Sequence, residues 1–131
     1  MKGYMTYKQQ GLKFTNECES PLEEKLLSII EDYEIYSMVK GFYQQVWVYG
    51  YKYRVDFLFH ISDYVSLVVE VDGKAHFNIE ESGMHSYTEK DMVRQRNIEK
   101  LGWVFLRIPY WELRTPELVA NRLEACIESL K

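Results

Sequence analysis

Cysteine is scarce in this chain. Cys18 and Cys126 lie far apart and fit no metal-ligand spacing, so a reduced protein of the cytoplasm is expected. No apolar run approaches the ~20 residues of a membrane span, and no membrane partner is expected. The opening stretch, MKGYMTYKQQGLKF, lacks the apolar centre of a secretion signal. Internal repeats and low-complexity tracts are absent. Positive charge is in deficit, with 16 Lys and Arg against 20 Asp and Glu, a net charge of −4. With a pI near 5.4, that balance argues mildly against nucleic acid as a partner.

What is present softens the objection, because charge is segregated along the chain. Residues 17–34 hold seven acids and one base, whereas the span from Thr88 to Arg114 holds six bases against four acids. Hydrophobic residues make up 47% of the 131 positions, ample for one core. A single domain over residues 1–131 is expected, with 1–19 as an N-terminal extension and the core from about residue 20 onward. Ser20, Pro21 and Glu23 form a helix-start signature ahead of the apolar stripe Leu22, Leu26, Leu27 and Ile30. Aromatic and β-branched runs on either side of Tyr49-Gly50 read as a hairpin, and VSLVVEV as a third strand. Residues 77–87 read as a loop. Thr88 caps a second helix that Gly102 stops, GWVFLRIP is a fourth strand ended by Pro109, and Thr115-Pro116 opens a last helix. The order α-β-β-β-α-β-α, with a helix between strands three and four, predicts a parallel crossover in a mixed four-stranded sheet flanked by helices, an α/β sandwich.

Within the third strand, SLVVEVDGKAHFN poses a physical problem. Glu70 and Asp72 alternate with valines and point to the same face. Two carboxylates buried side by side repel and lose hydration, at a cost of several kcal/mol unless something compensates. Fourteen residues earlier Asp56 interrupts another apolar run, YRVDFLF, and pairing of the two strands brings Asp56 to Glu70. Such an oxygen set suits Mg²⁺, with Mn²⁺ as a substitute, and the candidate ligands are Asp56, Glu70 and Asp72. A metal held this way polarises a phosphate oxygen and activates bound water. His76, just past the strand end, is placed as general base or further ligand.

YRVDF, LVVEVDGKAHF and DMVRQRNIEKLGWVFLRI together resemble the PD-(D/E)XK nuclease superfamily, and more narrowly its Vsr-like branch of very-short-patch-repair and homing endonucleases. The resemblance runs from about Ser20 to Ile108 and implies a restriction-endonuclease-like fold. It carries the branch's site positions onto Glu23, Asp56, His76 and Asp91. Asp72 stands where the superfamily has its lysine, so Lys74 or His76 is expected to take that role, and the superfamily's proline is Val55. No Cys/His zinc cluster is visible, so mismatch specificity is not implied.

Plainer readings exist for most of these residues. Glu23 and Asp91 sit three positions after a cap residue and serve capping boxes equally well. Asp56 has an edge reading, paired with Lys52 or Arg54. Asp72-Gly73 also suits a turn, Lys74 the surface, and His60 and His85 are read as surface residues. The alternating Tyr43, Trp47, Tyr49, Tyr51 and Tyr53 suit sheet packing, with base stacking as the alternative. Arg94, Arg96 and Lys100, with Lys52, Arg54 and Arg107, are the candidate phosphate contacts. The leading expectation is a Mg²⁺-dependent DNA endonuclease. The alternative is a catalytically weak or inactive nucleic-acid-binding module of the same fold, possibly RNA-directed. At this size a homodimer or an accessory specificity protein is a candidate partner.

Overall fold

A computed structural model describes residues 13–48 and 53–131 of the chain. The expected hairpin turn, with Tyr49, Tyr51 and Lys52, lies outside the described residues. Strand β1 (Lys13–Phe14) precedes helix α1 (Pro21–Asp32), then strands β2 (Gly41–Trp47), β3 (Arg54–His60) and β4 (Ser66–Asp72). A small hairpin of β5 (Phe77–Ile79) and β6 (His85–Tyr87) leads into α2 (Glu89–Glu99), β7 (Val104–Pro109) and α3 (Pro116–Leu130). The main sheet has the order β1-β2-β3-β4-β7. Its pairs are antiparallel except β4 with β7, which is parallel across the α2 crossover. This is the expected α/β sandwich with a mixed sheet, extended at one edge by the two-residue β1.

Each helix starts where its capping chemistry dictates. Ser20 Oγ accepts from the Glu23 N–H at 3.2 Å, and Thr88 Oγ1 from the Asp91 N–H at 3.3 Å. Past the end of α2, Gly102 takes φ +88, a left-handed conformation that costs glycine little. Helices α1 and α3 cover one face of the sheet, burying Leu26, Ile30, Leu123 and Ile127 against Phe57, Phe59, Leu67 and Val69. Full burial of such side chains contributes about 1.5–3 kcal/mol each. The other face carries a thinner layer, in which Ile98 of α2 and Trp103 meet Leu58 and Val68. Apart from Ile98, the buried residue of α2 is Asp91. A helix with so little apolar burial leaves its first turns to polar work.

Three expectations are corrected here. Residues 77–87 form a hairpin rather than a loop, because Phe77 anchors it against Tyr87, Tyr110 and Trp111. His60 is fully buried in β3, not on the surface. His85 is half-buried, packed on Phe77 and Trp111, with Nδ1 2.9 Å from the Gly83 carbonyl and Nε2 3.2 Å from the Tyr110 hydroxyl.

Candidate functional site

The sheet splits at the acids. The β3–β4 ladder runs from His60 opposite Ser66 to Phe57 opposite Val69 and ends there. At the next position side chains replace main-chain acceptors. The Asp56 N–H donates to Glu70 Oε2 at 3.0 Å, and the Val71 N–H donates to Asp56 Oδ2 at 3.0 Å. Beyond this point β3 continues beside β2 and β4 beside β7. The fork opens a cleft of about 880 Å³, walled by the start of α1 and the first turns of α2. Asp56, Glu70, Asp72, His76, Glu23, Asp91 and Lys74 all line it, as do Arg54 and Arg94. Chain positions as distant as Glu23 and Asp91 therefore meet in one place. Arg96 and Lys100 are exposed and lie outside the cleft lining.

Arginine supplies much of the compensation expected from a divalent metal ion. Arg94 donates to Glu70 Oε1, and through its other terminal nitrogen to the Arg54 carbonyl at 2.5 Å. Arg107 is not a phosphate contact: it is buried, with one terminal nitrogen 3.1 Å from each Asp72 oxygen. It also donates to Gln95 Oε1 at 2.7 Å and to the Asp91 carbonyl at 3.1 Å, tying β7 to α2. Its guanidinium lies 4.8 Å from the centre of the Tyr87 ring. Asp72, read as a metal ligand in place of the superfamily lysine, is the anchor of this buried pair. Among the described residues, no group of three or more His, Cys, Asp or Glu is arranged to hold a metal ion.

Asp56 and Glu23 are the exceptions to this neutralisation. Among the described residues Asp56 has no basic partner, only the Val71 N–H. Burial first, then the charges of Glu70 and Glu23, push its carboxyl up to about 8. Burial also raises Glu70, against the opposing pull of Arg94. Glu23 is tied to its cap residue and faces the cleft. Its Oε2 accepts from the Ser20 hydroxyl at 3.2 Å, a side-chain bond in place of the main-chain one of a capping box. Its other oxygen accepts from the Gln45 amide. Gln45 is buried with φ +50, a left-handed conformation unusual for a residue with a side chain. Nothing in the sequence signals that conformation.

His76 and Asp91 form the second polar unit. Asp91 accepts from the Thr88 hydroxyl at 2.7 Å, and its other oxygen lies 2.8 Å from His76 Nδ1. Burial raises the Asp91 carboxyl, but the Thr88 and His76 hydrogen bonds outweigh it and hold the group below its ordinary value. The Asp91 carboxylate orients the imidazole through Nδ1, and Nε2 has no hydrogen-bond partner among the described residues. The His76 side chain is 42% exposed, so that nitrogen is open to a ligand. Lys74 and Lys90 stand exposed on the cleft wall and have no carboxylate partner among the described residues. Sequence reasoning passed over Lys90 as a site residue. Its position two residues after the Thr88 cap, on the turn that also carries Asp91, is the signal that was available.

A family model, the RAP domain, a family of RNA-binding domains, matches residues 69–115, about a third of the chain. No curated protein and no solved structure matches. The match overturns the resemblance to the PD-(D/E)XK nuclease superfamily and its Vsr-like branch. The motif segments LVVEVDGKAHF and DMVRQRNIEKLGWVFLRI fall almost entirely inside the RAP match instead.

Proposed function

We propose that this chain is an RNA-binding module that holds a strand of RNA in the forked cleft. The observation that carries the reading is a coincidence of place. The segment matched by the RAP model supplies most of the cleft lining, including Glu70, Asp72, Lys74, His76, Lys90 and Asp91. The chemistry supports it. Clustered negative charge would repel phosphates, but Glu70 and Asp72 are neutralised by Arg94 and Arg107, and Asp91 is engaged by His76 and Thr88. Lys74 and Lys90 are then the cations available to phosphate, and His76 Nε2 accepts from a ribose hydroxyl, the group that distinguishes RNA from DNA. The test is fluorescence anisotropy with a labelled single-stranded RNA and its DNA counterpart. RNA is expected to bind more tightly, and Lys74→Ala with Lys90→Ala to weaken it about tenfold or more. Absence of RNA binding at low salt, or equal binding by the double variant, would sink the proposal.

A second reading rests on Asp56, a buried acid without a cationic partner among the described residues. Phosphodiester hydrolysis with Mg²⁺ or Mn²⁺ is that reading, with Asp56 and Glu70 as the residues nearest to such an ion and His76 placed to take a proton from water. It predicts that Mg²⁺ raises the thermal midpoint of the wild type and not of Asp56→Asn, with loss of any RNA or DNA cleavage in the same variant. Identical midpoints with and without the ion would dismiss it.

A further inference from the structure

Resting on the RNA-binding reading, we propose that the cleft continues into a base-stacking recess, so that the ligand is single-stranded RNA with an unpaired base seated between Tyr53 and Val93. A second cavity of about 650 Å³ adjoins the cleft and shares Arg54, Lys90, Asp91 and Arg94 with it. Its remaining walls are Tyr53, Val93 and Glu89. The two cavities form one track along the start of α2.

The composition of this extension differs from that of the cleft. Its apolar surface comes from Tyr53, the residue before β3, and from Val93, which is 40% exposed although it is β-branched and apolar. The half-buried Tyr53 ring packs against the layer of Leu58 and Val68, with the Arg94 guanidinium 5.7 Å from its centre, and its hydroxyl accepts from Asn97 at 3.1 Å. Beside it, Arg54 lies 5.3 Å from the centre of the Trp47 ring, which is 41% exposed. Aromatic rings interleaved with planar guanidinium groups are the surface on which unpaired bases stack.

Charge selects the occupant. Arg54, Lys90 and Arg94 line both cavities; Arg54 is paired with Glu19 and Arg94 with Glu70, whereas Lys90 has no carboxylate partner among the described residues. Of the acids present, Asp91 is engaged by His76 and Thr88, leaving Glu89 as the exposed carboxylate. An apolar recess edged by the unpaired Lys90 and by two ion-paired guanidinium groups fits a group with an apolar face and an anionic tether, which describes a nucleotide. A paired base keeps its faces inside the duplex and cannot enter. The recess therefore requires an unpaired strand.

The experiment compares three labelled ligands of equal length: oligouridine, the same ribose-phosphate strand without bases, and an RNA duplex. Phosphate contacts are common to all, so the ratio of oligouridine to base-free affinity isolates the bases. Wild-type protein is expected to bind oligouridine about tenfold or more tighter than either other ligand. Val93→Asn, at an exposed helix position that leaves the core intact, is expected to shrink that ratio severalfold. Tyr53→Leu, which keeps apolar packing and removes the ring, should do the same. Lys74→Ala should weaken oligouridine and the base-free strand alike, leaving the ratio unchanged. Equal binding of oligouridine and the base-free strand, or a preserved ratio in Val93→Asn, overturns the recess while RNA binding stands. Failure of all three ligands to bind overturns both.

Discussion

Asp56 is the residue whose environment most opposes its chemistry. A carboxyl with an ordinary value near 3.8 unfolded and about 8 folded binds more protons in the folded state between those values. Stability from this group is therefore complete at low pH and declines as pH rises from about 4 to about 8. Asp56→Asn keeps an oxygen to accept the Val71 N–H and removes the titration. Melting curves should show the variant gaining on the wild type as pH rises, reaching about 1–3 kcal/mol by pH 9. A difference that stays constant from pH 5 to pH 9 would contradict that account. Asp91 has the opposite sign: its lowered value contributes stability above its unfolded value, lost as pH falls through the folded one.

At the scale of elements, Arg107 links three of them. Its guanidinium reaches Asp72 at the end of β4 and both Gln95 and the Asp91 carbonyl on α2, from its own place on β7. The pair is buried on both sides, so removing one partner strands the other charge. Arg107→Leu is expected to cost about 3–5 kcal/mol in denaturant unfolding, and addition of Asp72→Asn to recover a substantial part. Additive losses in the double variant would show that the two do not interact. The same contact explains how a mostly polar helix stays docked with so few buried apolar residues. It also holds the α2 start, with Thr88, Lys90 and Asp91, against the cleft.

For the whole molecule, net charge of −4 and a proposed RNA ligand are reconciled by where the charges fall. The acidic stretch on α1 contributes Glu23 to the cleft, whereas the exposed Lys74 and Lys90 flank the other wall. Few phosphate contacts predict a shallow salt dependence. With two or three lysine and arginine contacts, the slope of log affinity against log salt should be about −1.5 to −2 for single-stranded RNA. Lys90→Ala should flatten it by about 0.7. A much steeper slope would place the contact surface elsewhere. No helix among the described residues is long and apolar enough to cross a membrane.

The α/β order was legible in the sequence because its signals are local. Ser20-Pro21 and Thr88 sit where a helix must satisfy its first N–H groups, Gly102 where a left-handed turn is needed, and LVV where a strand is buried on both faces. The acids of the site were legible for a related reason: Asp56, Glu70 and Asp72 interrupt apolar strands, and burial of charge demands a partner. Which partner answers that demand is not local. Glu70 meets Arg94 and Asp72 meets Arg107 across 24 and 35 positions of chain, whereas sequence pattern alone favoured a divalent metal ion. His60 and His85 followed the same rule. A histidine reads as polar in a sequence, and only packing decides whether β3 or an aromatic cluster encloses it. Period and capping thus determined the elements, while the pairing of charges and the opening of the fork were settled by tertiary contacts, because electrostatic partners are chosen by distance in space.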